Sequence, residues 1–430
     1  MRLLYTFLYA LGFVLLSPAF LYKMWKRGKY RENFFQRFGR YSPELRQRLA
    51  NKTAPRCWIQ AVSVGEVNLA LLLLKRLPQF QIVLSTTTST GYALAKERLP
   101  ADVTLVYFPQ DFPPCVRRAY DLIAPDCVVL LESEVWPNHI WEGARRDVPL
   151  FLINARMSPR SARRHRKVQW LFRHVFDKLT LVCAQSEEDA GNFRAFGARH
   201  VEMTGNLKYD ASLPEAGVPK VDPRQVLADI GVAPTRPILV AGSTHPGEEE
   251  ILFDLLPKLR EKLPDLFLVL VPRHVERTPE IVELAKRKNI ALTLRKDGSP
   301  VSNPVCLLVN TTGELKWFYS AATVIFVGKS LVGEGGQNIV EAAASGHPVV
   351  FGPNMQNFKA IAAEFVAAGA CVQVQDRYEL EHAFRDLLHD ENLRAKITAA
   401  AKSVIERNVG ATGRTVDRIV DGLAARGKAL

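Results

Sequence analysis

The chain has 430 residues, 47% of them hydrophobic and 23% charged, which excludes a disordered or low-complexity protein and leaves room for two to three ordinary domains. Its formal net charge of +13 asks for an anionic partner, but residues 1–40 alone hold eight basic side chains against one acidic one. No zinc-finger spacing or aromatic-interleaved RNA module accompanies that excess, so nucleic acid is not the expected partner.

Residues 3–22 carry no charged side chain. Twenty residues at about 1.5 Å each make roughly 30 Å of helix, the thickness of a bilayer core. Lys23, Lys26, Arg27, Lys29, Arg31, Arg37 and Arg40 follow, opposed only by Glu32. This reads as an N-terminal single-span membrane anchor over residues 1–40. Its basic flank is expected on the cytoplasmic side of the membrane, meeting anionic lipid there. A cleaved signal peptide, suggested by Ser17 and Ala19, has too weak a basic start in Arg2 alone.

From about residue 55, β-rich runs alternate with helical stretches. Strands are expected near 57–62, 81–86, 103–107, 127–131, 149–153, 180–184 and 200–204, with helices near 66–77, 89–98, 138–146, 158–177 and 186–196. Such alternation argues for βαβ units and a parallel sheet. Leu213 to Pro219 and then Pro223 read as an interdomain linker over 213–222. The alternation restarts with strands near 238–242, 266–271, 290–294, 305–309, 323–327, 348–351 and 371–374, and ends in helical stretches near 392–407 and 413–426. The expected organisation is an N-terminal domain over 41–212 and a C-terminal one over 223–430, doubly wound and facing each other across a cleft. The six cysteines (57, 115, 127, 183, 306 and 371) form no C-x-x-C pair, as expected of a reducing compartment.

Several loops fall at the carboxyl ends of expected strands, where open α/β sheets bind ligands. Ser63-Val64-Gly65-Glu66 opens a helix there, so Glu66 is either a residue complementing the helix dipole or a catalytic base. The dipole would lower its pKa, so a useful base at this place requires desolvation when the two halves close over donor and acceptor. Glu132 and Glu134 stand at the end of a buried strand, where an acid needs a partner. Arg156, Arg160 and Arg163 begin a basic run with no acid between Val148 and Phe176, suited to an anionic ligand. Lys208 closes the first half. In the second half, Arg273 follows an apolar strand ending in Pro272 and suits a phosphate. Glycines 333, 335 and 336 precede Asn338, Ile339, Val340 and Glu341 at a helix start, suited to a phosphate and, through Glu341, to ribose hydroxyls. Thr312, Gly313 and Glu314 are equally readable as a plain helix cap. His245 and His274 have no carboxylate or cysteine at ligand spacing, so no metal site is expected.

These loops, namely SVGE at 63–66, ESEVWPN at 132–138, NARMSPRS at 154–161, GNLKYD at 205–210, STHPGEE at 243–249, VPRH at 271–274, NIVEAAA at 338–344 and FGPNMQNF at 351–358, together resemble the bacterial Kdo transferases. These enzymes move 3-deoxy-D-manno-octulosonic acid (Kdo) from CMP-Kdo onto the lipid A precursor, lipid IVA, in lipopolysaccharide core biosynthesis. The resemblance implies an α/β glycosyltransferase-B fold of two Rossmann-like domains, acceptor half first and donor half second. It also implies an inverting, metal-independent transfer with no cofactor. It assigns Glu66 as general base, Glu132 and Lys208 as transition-state stabilisers, and Pro272, Arg273, Thr312, Gly313, Glu314 and Asn338 to Glu341 to CMP; phosphates of the acceptor would suit Arg156, Arg160 and Arg163. Gln337, Ile339 and Lys329 depart from the family pattern, Lys329 standing where a second glycine is common. Rival readings are a UDP-sugar-dependent envelope glycosyltransferase of the same fold and a nucleotide-sugar epimerase; a non-catalytic adaptor gives no reason for carboxylates at several sheet ends.

Overall fold

A computed structural model describes residues 1–27, 33–157, 163, 169–213, 221–296, 298 and 301–427. Two compact units emerge. The first comprises Met1–Ala211 together with Gly410–Leu430, and the second is Ser212–Val409. The terminal segment, grouped by the sequence pattern with the second domain, therefore belongs to the first. The reason lies in its apolar face: Ala411, Val416, Ile419 and Leu423 are buried in one core with Cys57, Ile59, Val129 and Phe151. Asp210 fastens its start, accepting the N–H groups of Gly410 (2.7 Å) and Thr412 (2.6 Å).

The first unit holds seven parallel strands: β1 (Arg56–Gln60), β2 (Gln81–Thr86), β3 (Thr104–Tyr107), β4 (Cys127–Leu131), β5 (Leu150–Ala155), β6 (Leu181–Ala184) and β7 (Val201–Met203). Their order is β3-β2-β1-β4-β5-β6-β7. Six of them are largely buried runs, as a sheet covered by helices on either side requires, while the edge strand β7 buries only Val201. Side-chain alternation sends Trp58, Val83, Val128 and Leu130 into one core and Cys57, Ile59, Leu84 and Leu131 into the other. The order reverses between β1 and β4, which is where a doubly wound sheet opens a crevice.

The second unit repeats the plan with β8 (Ile238–Thr244), β9 (Phe267–Pro272), β10 (Leu292–Leu294), β11 (Cys306–Leu308), β12 (Val324–Val327), β13 (Val349–Phe351) and β14 (Val372–Gln373). They pair in the order β10-β11-β9-β8-β12-β13-β14, all parallel. The reversal falls between β8 and β12. All fourteen strands lie where the apolar runs place them.

The helices differ in places. Pro113–Ile123 forms a helix absent from the sequence expectations, because Pro113-Pro114 reads as a breaker; at the first two helical positions proline lacks only an N–H that has no partner anyway. Half of the expected helix at 158–177 and most of the linker at 213–222 lie outside the described residues; within the former, Gln169–Phe176 is helical.

The N-terminal anchor is the main correction. Residues Arg2–Arg27 are indeed one helix, but among the described residues no helix is long and apolar enough to cross a membrane. The charge-free stretch is studded with polar groups, and these dock onto the first unit. Tyr5 donates to Asp111 (2.8 Å), Tyr9 to Gln110 (2.9 Å) and Thr6 to Asn138 (3.2 Å), while Arg2 pairs with Glu142 (3.2 Å). Tyr9 and Phe13 both pack edge-on against Phe112. Leu3, Phe7, Leu8, Leu11, Val14 and Leu15, on the opposite stripe, are exposed.

Candidate active site

The loop after β1 turns the chain into the helix Val64–Leu74, and Ser63 caps it by accepting the Glu66 N–H at 3.4 Å. Glu66 reaches back, completing a reciprocal cap. Its carboxylate accepts the Val62 N–H at 2.8 Å and the Ser63 hydroxyl at 3.1 Å. The side chain is thus held in one orientation, with only 9% of the residue exposed. Burial, reinforced by the negative charges of Glu132 and Glu134, raises its pKa to about 7 against the hydrogen bonds from Val62 and Ser63. The helix dipole does not prevail; a buried carboxylate with two acidic neighbours is poised near neutrality.

Those neighbours lie beyond β4, on the other side of the switch point. Glu132 adopts φ +56, an uncommon conformation for a residue with a side chain. Its backbone is held on both sides: its N–H donates to Ile153 (2.9 Å) and its carbonyl accepts the Arg156 N–H (3.3 Å). The carboxylate lies between two cations, Arg156 Nε at 2.9 Å and Lys208 Nζ at 3.1 Å. Burial works against ionisation, yet Lys208 and Arg156 together outweigh it and hold the carboxyl below the usual glutamate range. Glu134 accepts the Trp136 indole N–H at 2.8 Å, and burial raises its pKa. One crevice edge therefore offers a carboxyl near neutrality beside a cation-bridged one whose pKa is held down.

Lys208 is brought in by a second connection. Asn154, at φ +48 near the end of β5, accepts the Leu207 N–H on Oδ1 at 3.0 Å. This ties the segment bearing Lys208 to the strand beside Glu132. Nothing in sequence spacing signals that link, because its two ends are 53 residues apart. Of the three arginines expected at the acceptor, Arg156 is committed to Glu132, Arg163 is exposed, and Arg160 lies outside the described residues.

In the second unit the corresponding edge is formed by the ends of β8, β9, β11 and β12. Pro272 ends β9, and the N–H of Arg273 donates to the Thr244 carbonyl at 3.1 Å. This leaves the guanidinium exposed and without an ion pair among the described residues. Glu341 sits in the first turn of the short helix Ile339–Ala343. Burial raises its pKa against the nearby charges of Lys316 and Arg273. Asn338 caps this helix, its Oδ1 accepting the Val340 N–H at 3.1 Å while its Nδ2 donates to Ser212 at 2.9 Å. The Ile339 and Val340 side chains are core, so only their backbones face outward chemistry. Thr312 and Gly313 are exposed, with Gly313 at φ +82, and Glu314 is paired with Arg295 at 3.1 Å.

Glu248 is a residue that sequence reasoning does not single out. It is fully buried, and its carboxylate accepts four backbone N–H groups: His245 (3.0 Å), Lys329 (2.7 Å), Ser330 (3.0 Å) and Leu331 (3.0 Å). It staples the loop after β12 to the loop after β8. Among the described residues no group of three or more His, Cys, Asp or Glu side chains could hold a metal ion.

A family model described as 3-deoxy-D-manno-octulosonic-acid transferase (kdotransferase) matches residues 32–211, and one described as glycosyl transferases group 1 matches residues 250–404. The 3-deoxy-D-manno-octulosonic acid transferase of Bordetella pertussis is 34% identical over 433 residues, covering 96% of this chain and 99% of that protein. That of Haemophilus influenzae is 32% identical over 403 residues, covering 91% and 92%. The UDP-GlcNAc 2-epimerase of Neisseria meningitidis, at 14% identity and a TM-score of 0.58 over 86% of this chain and 100% of that one, shares the fold alone. With a buried, tunable carboxyl at one switch point and relatives matched nearly end to end, the chain belongs to the 3-deoxy-D-manno-octulosonic acid transferase family, glycosyltransferases of two parallel-sheet α/β domains.

Proposed function

We propose that this chain transfers Kdo from CMP-Kdo to a lipid A precursor of the lipid IVA type, with inversion at the anomeric carbon, in lipopolysaccharide core biosynthesis. The observation that carries this reading is Glu66, buried, held by Val62 and Ser63, and poised near neutrality. It takes the proton from the acceptor sugar hydroxyl as that oxygen attacks the anomeric carbon. Glu132, kept ionised by Lys208 and Arg156, faces the positive charge that develops on the sugar ring. Lys208 balances the pair.

Arg273 and the backbone amide of Ile339 take the CMP phosphate, beside Val340, whose own N–H is held by the Asn338 cap, and Glu341 accepts from the ribose. Thr312, Gly313 and Glu314 border the nucleotide, with Pro272 fixing the turn that presents Arg273. Asn338 shapes this edge through its cap rather than through free side-chain groups. Arg163 and Arg160 remain for the acceptor phosphates, whereas Arg156 serves Glu132.

The lipid acceptor requires the enzyme at a membrane. The exposed stripe Leu3, Phe7, Leu8, Leu11, Val14 and Leu15, followed in sequence by the basic run to Arg40, suits a helix lying along an anionic bilayer surface. The decisive experiment incubates the full chain with lipid A precursor and either CMP-Kdo or UDP-sugars, with products weighed by mass spectrometry. The expected product gains Kdo from CMP-Kdo; transfer from a UDP-sugar alone would refute the reading.

A further inference from the structure

At the switch point of the second sheet, the ends of β8 and β12 bring together more positive charge than one phosphate needs. His245 follows β8 and Lys329 follows β12, two strands that pair directly. Lys329 lies at φ +57, a conformation a side-chain-bearing residue adopts only under strain of about 1 kcal/mol or more. Glu248 holds it there through the 2.7 Å bond from its N–H, and the Gly336 N–H donates to its carbonyl at 3.0 Å.

The surroundings are cleared for the lysine. A Cβ on Gly328 would come within 2.6 Å of the Ser243 carbonyl and 2.8 Å of the Glu248 carboxylate. Gly333 and Gly335 flank its side chain, since a Cβ on either would lie 3.4 Å and 3.6 Å from Lys329 Cγ and Cε respectively. Lys329 is half-buried and, among the described residues, makes no ion pair. His245 packs edge-on against His274, with ring centroids 5.6 Å apart, and its Nε2 is buried without a hydrogen-bond partner among the described residues. Burial, and then the charges of Lys329, His274, Arg277 and Arg273, hold its imidazole down to about 4, so the ring is neutral, and as its Nε2–H tautomer it can donate to an anion. Arg277 is already spent on Glu249 (2.7 Å) and Glu280 (2.8 Å).

We infer that Lys329 and His245 form a second anion position next to Arg273, which takes the carboxylate of the donor sugar. The inference rests on the donor reading above. In a CMP-linked octulosonic acid the carboxylate and the phosphoester share the anomeric carbon, so two anions stand side by side. Arg273 takes the phosphate, while the Lys329 ammonium and the His245 N–H take the carboxylate. A nucleoside diphosphate offers the same chemistry through its second phosphate, and the test separates the two sources.

CMP, UDP and freshly prepared CMP-Kdo are titrated into the full-length wild type, Lys329→Met and Lys329→Gly. Lys329→Met removes the charge, and Lys329→Gly removes charge and backbone strain together. Both variants are expected to bind CMP as the wild type does and to lose about tenfold or more for CMP-Kdo, the worth of one charged hydrogen bond; Lys329→Gly also melts no lower than the wild type. Unchanged CMP-Kdo affinity in both variants overturns the assignment, as does an equal loss for CMP, which would place Lys329 on the phosphate. Loss for UDP with none for CMP-Kdo overturns it in favour of a diphosphate. A wild type that binds no CMP-Kdo at all refutes the donor reading itself and the assignment with it.

Discussion

Replacing Glu66 with Gln preserves its shape, and the amide oxygen can still accept the Val62 N–H, so the change removes a charge and little else. Burial raises the folded-state pKa from 4.5 to about 7. A carboxyl with a raised pKa contributes stability fully below pH 4.5, where both states are protonated, and loses it as the pH climbs to 7 and the unfolded chain ionises first. Above pH 7 the native state carries a buried charge. The cost is roughly 3 kcal/mol, since every tenfold change in proton affinity between the two states is worth about 1.4 kcal/mol. Glu66→Gln escapes this cost. Urea denaturation followed by tryptophan fluorescence should find the variant more stable than the wild type by about 3 kcal/mol at pH 8 and indistinguishable from it at about pH 4.5. Turnover should move the opposite way, falling roughly 10²–10⁴-fold as a general base is lost, and the wild-type rate should rise with pH through a midpoint of about 7. Equal stabilities across that range would show that Glu66 titrates like an exposed carboxyl, and the argument for its burial as a tuning device would fail.

Lys208→Met should leave Glu132 with Arg156 alone and lower turnover about 10²-fold while CMP affinity, measured by calorimetry, stays put. His139 is buried among Trp58, Phe108 and Tyr120 and held neutral down to about pH 3 by burial. Its folded pKa is depressed, so the unfolded chain takes up the proton first as pH falls below about 6.5, and stability should drop by about 2 kcal/mol between about pH 7.5 and 5. His139→Phe should flatten that slope in urea melts. A chain ending at Val409 should lose the cooperative unfolding of its first unit, since Val416, Ile419 and Leu423 bury about 1.5–3 kcal/mol each; calorimetry should then show only the transition of the second unit.

Much of this architecture is legible in the residues, and the exceptions have physical causes. The strands announce themselves because parallel sheets bury both faces, leaving continuous apolar runs such as Cys127–Leu131. Residues 3–22 mislead because absence of charge is not apolarity: Tyr5, Thr6 and Tyr9 are hydrogen-bond donors that find partners on the first unit. Glu66 and Glu132 are recognisable as acids at strand ends. Their opposite pKa shifts, however, rest on the burial of Glu66 and on the pairing of Glu132 with Lys208, which lies far beyond it in the chain, and no local pattern encodes either. Glu248 passes for an ordinary first-turn acid because its four partners are backbone N–H groups, which no sequence displays.

The return of Gly410–Leu430 to the first unit has a consequence for how the protein is made. Synthesis delivers the N-terminus first, and N-terminal domains ordinarily fold first. Here the first unit waits for Gly410–Leu430, while the second, uninterrupted from Ser212 to Val409, has its whole sequence beforehand. Until that segment leaves the ribosome, the core around Cys57, Ile59 and Val129 lacks its closing helix. The unit that emerges first is the one that must be finished last, and its exposed face is what a chaperone would have to guard.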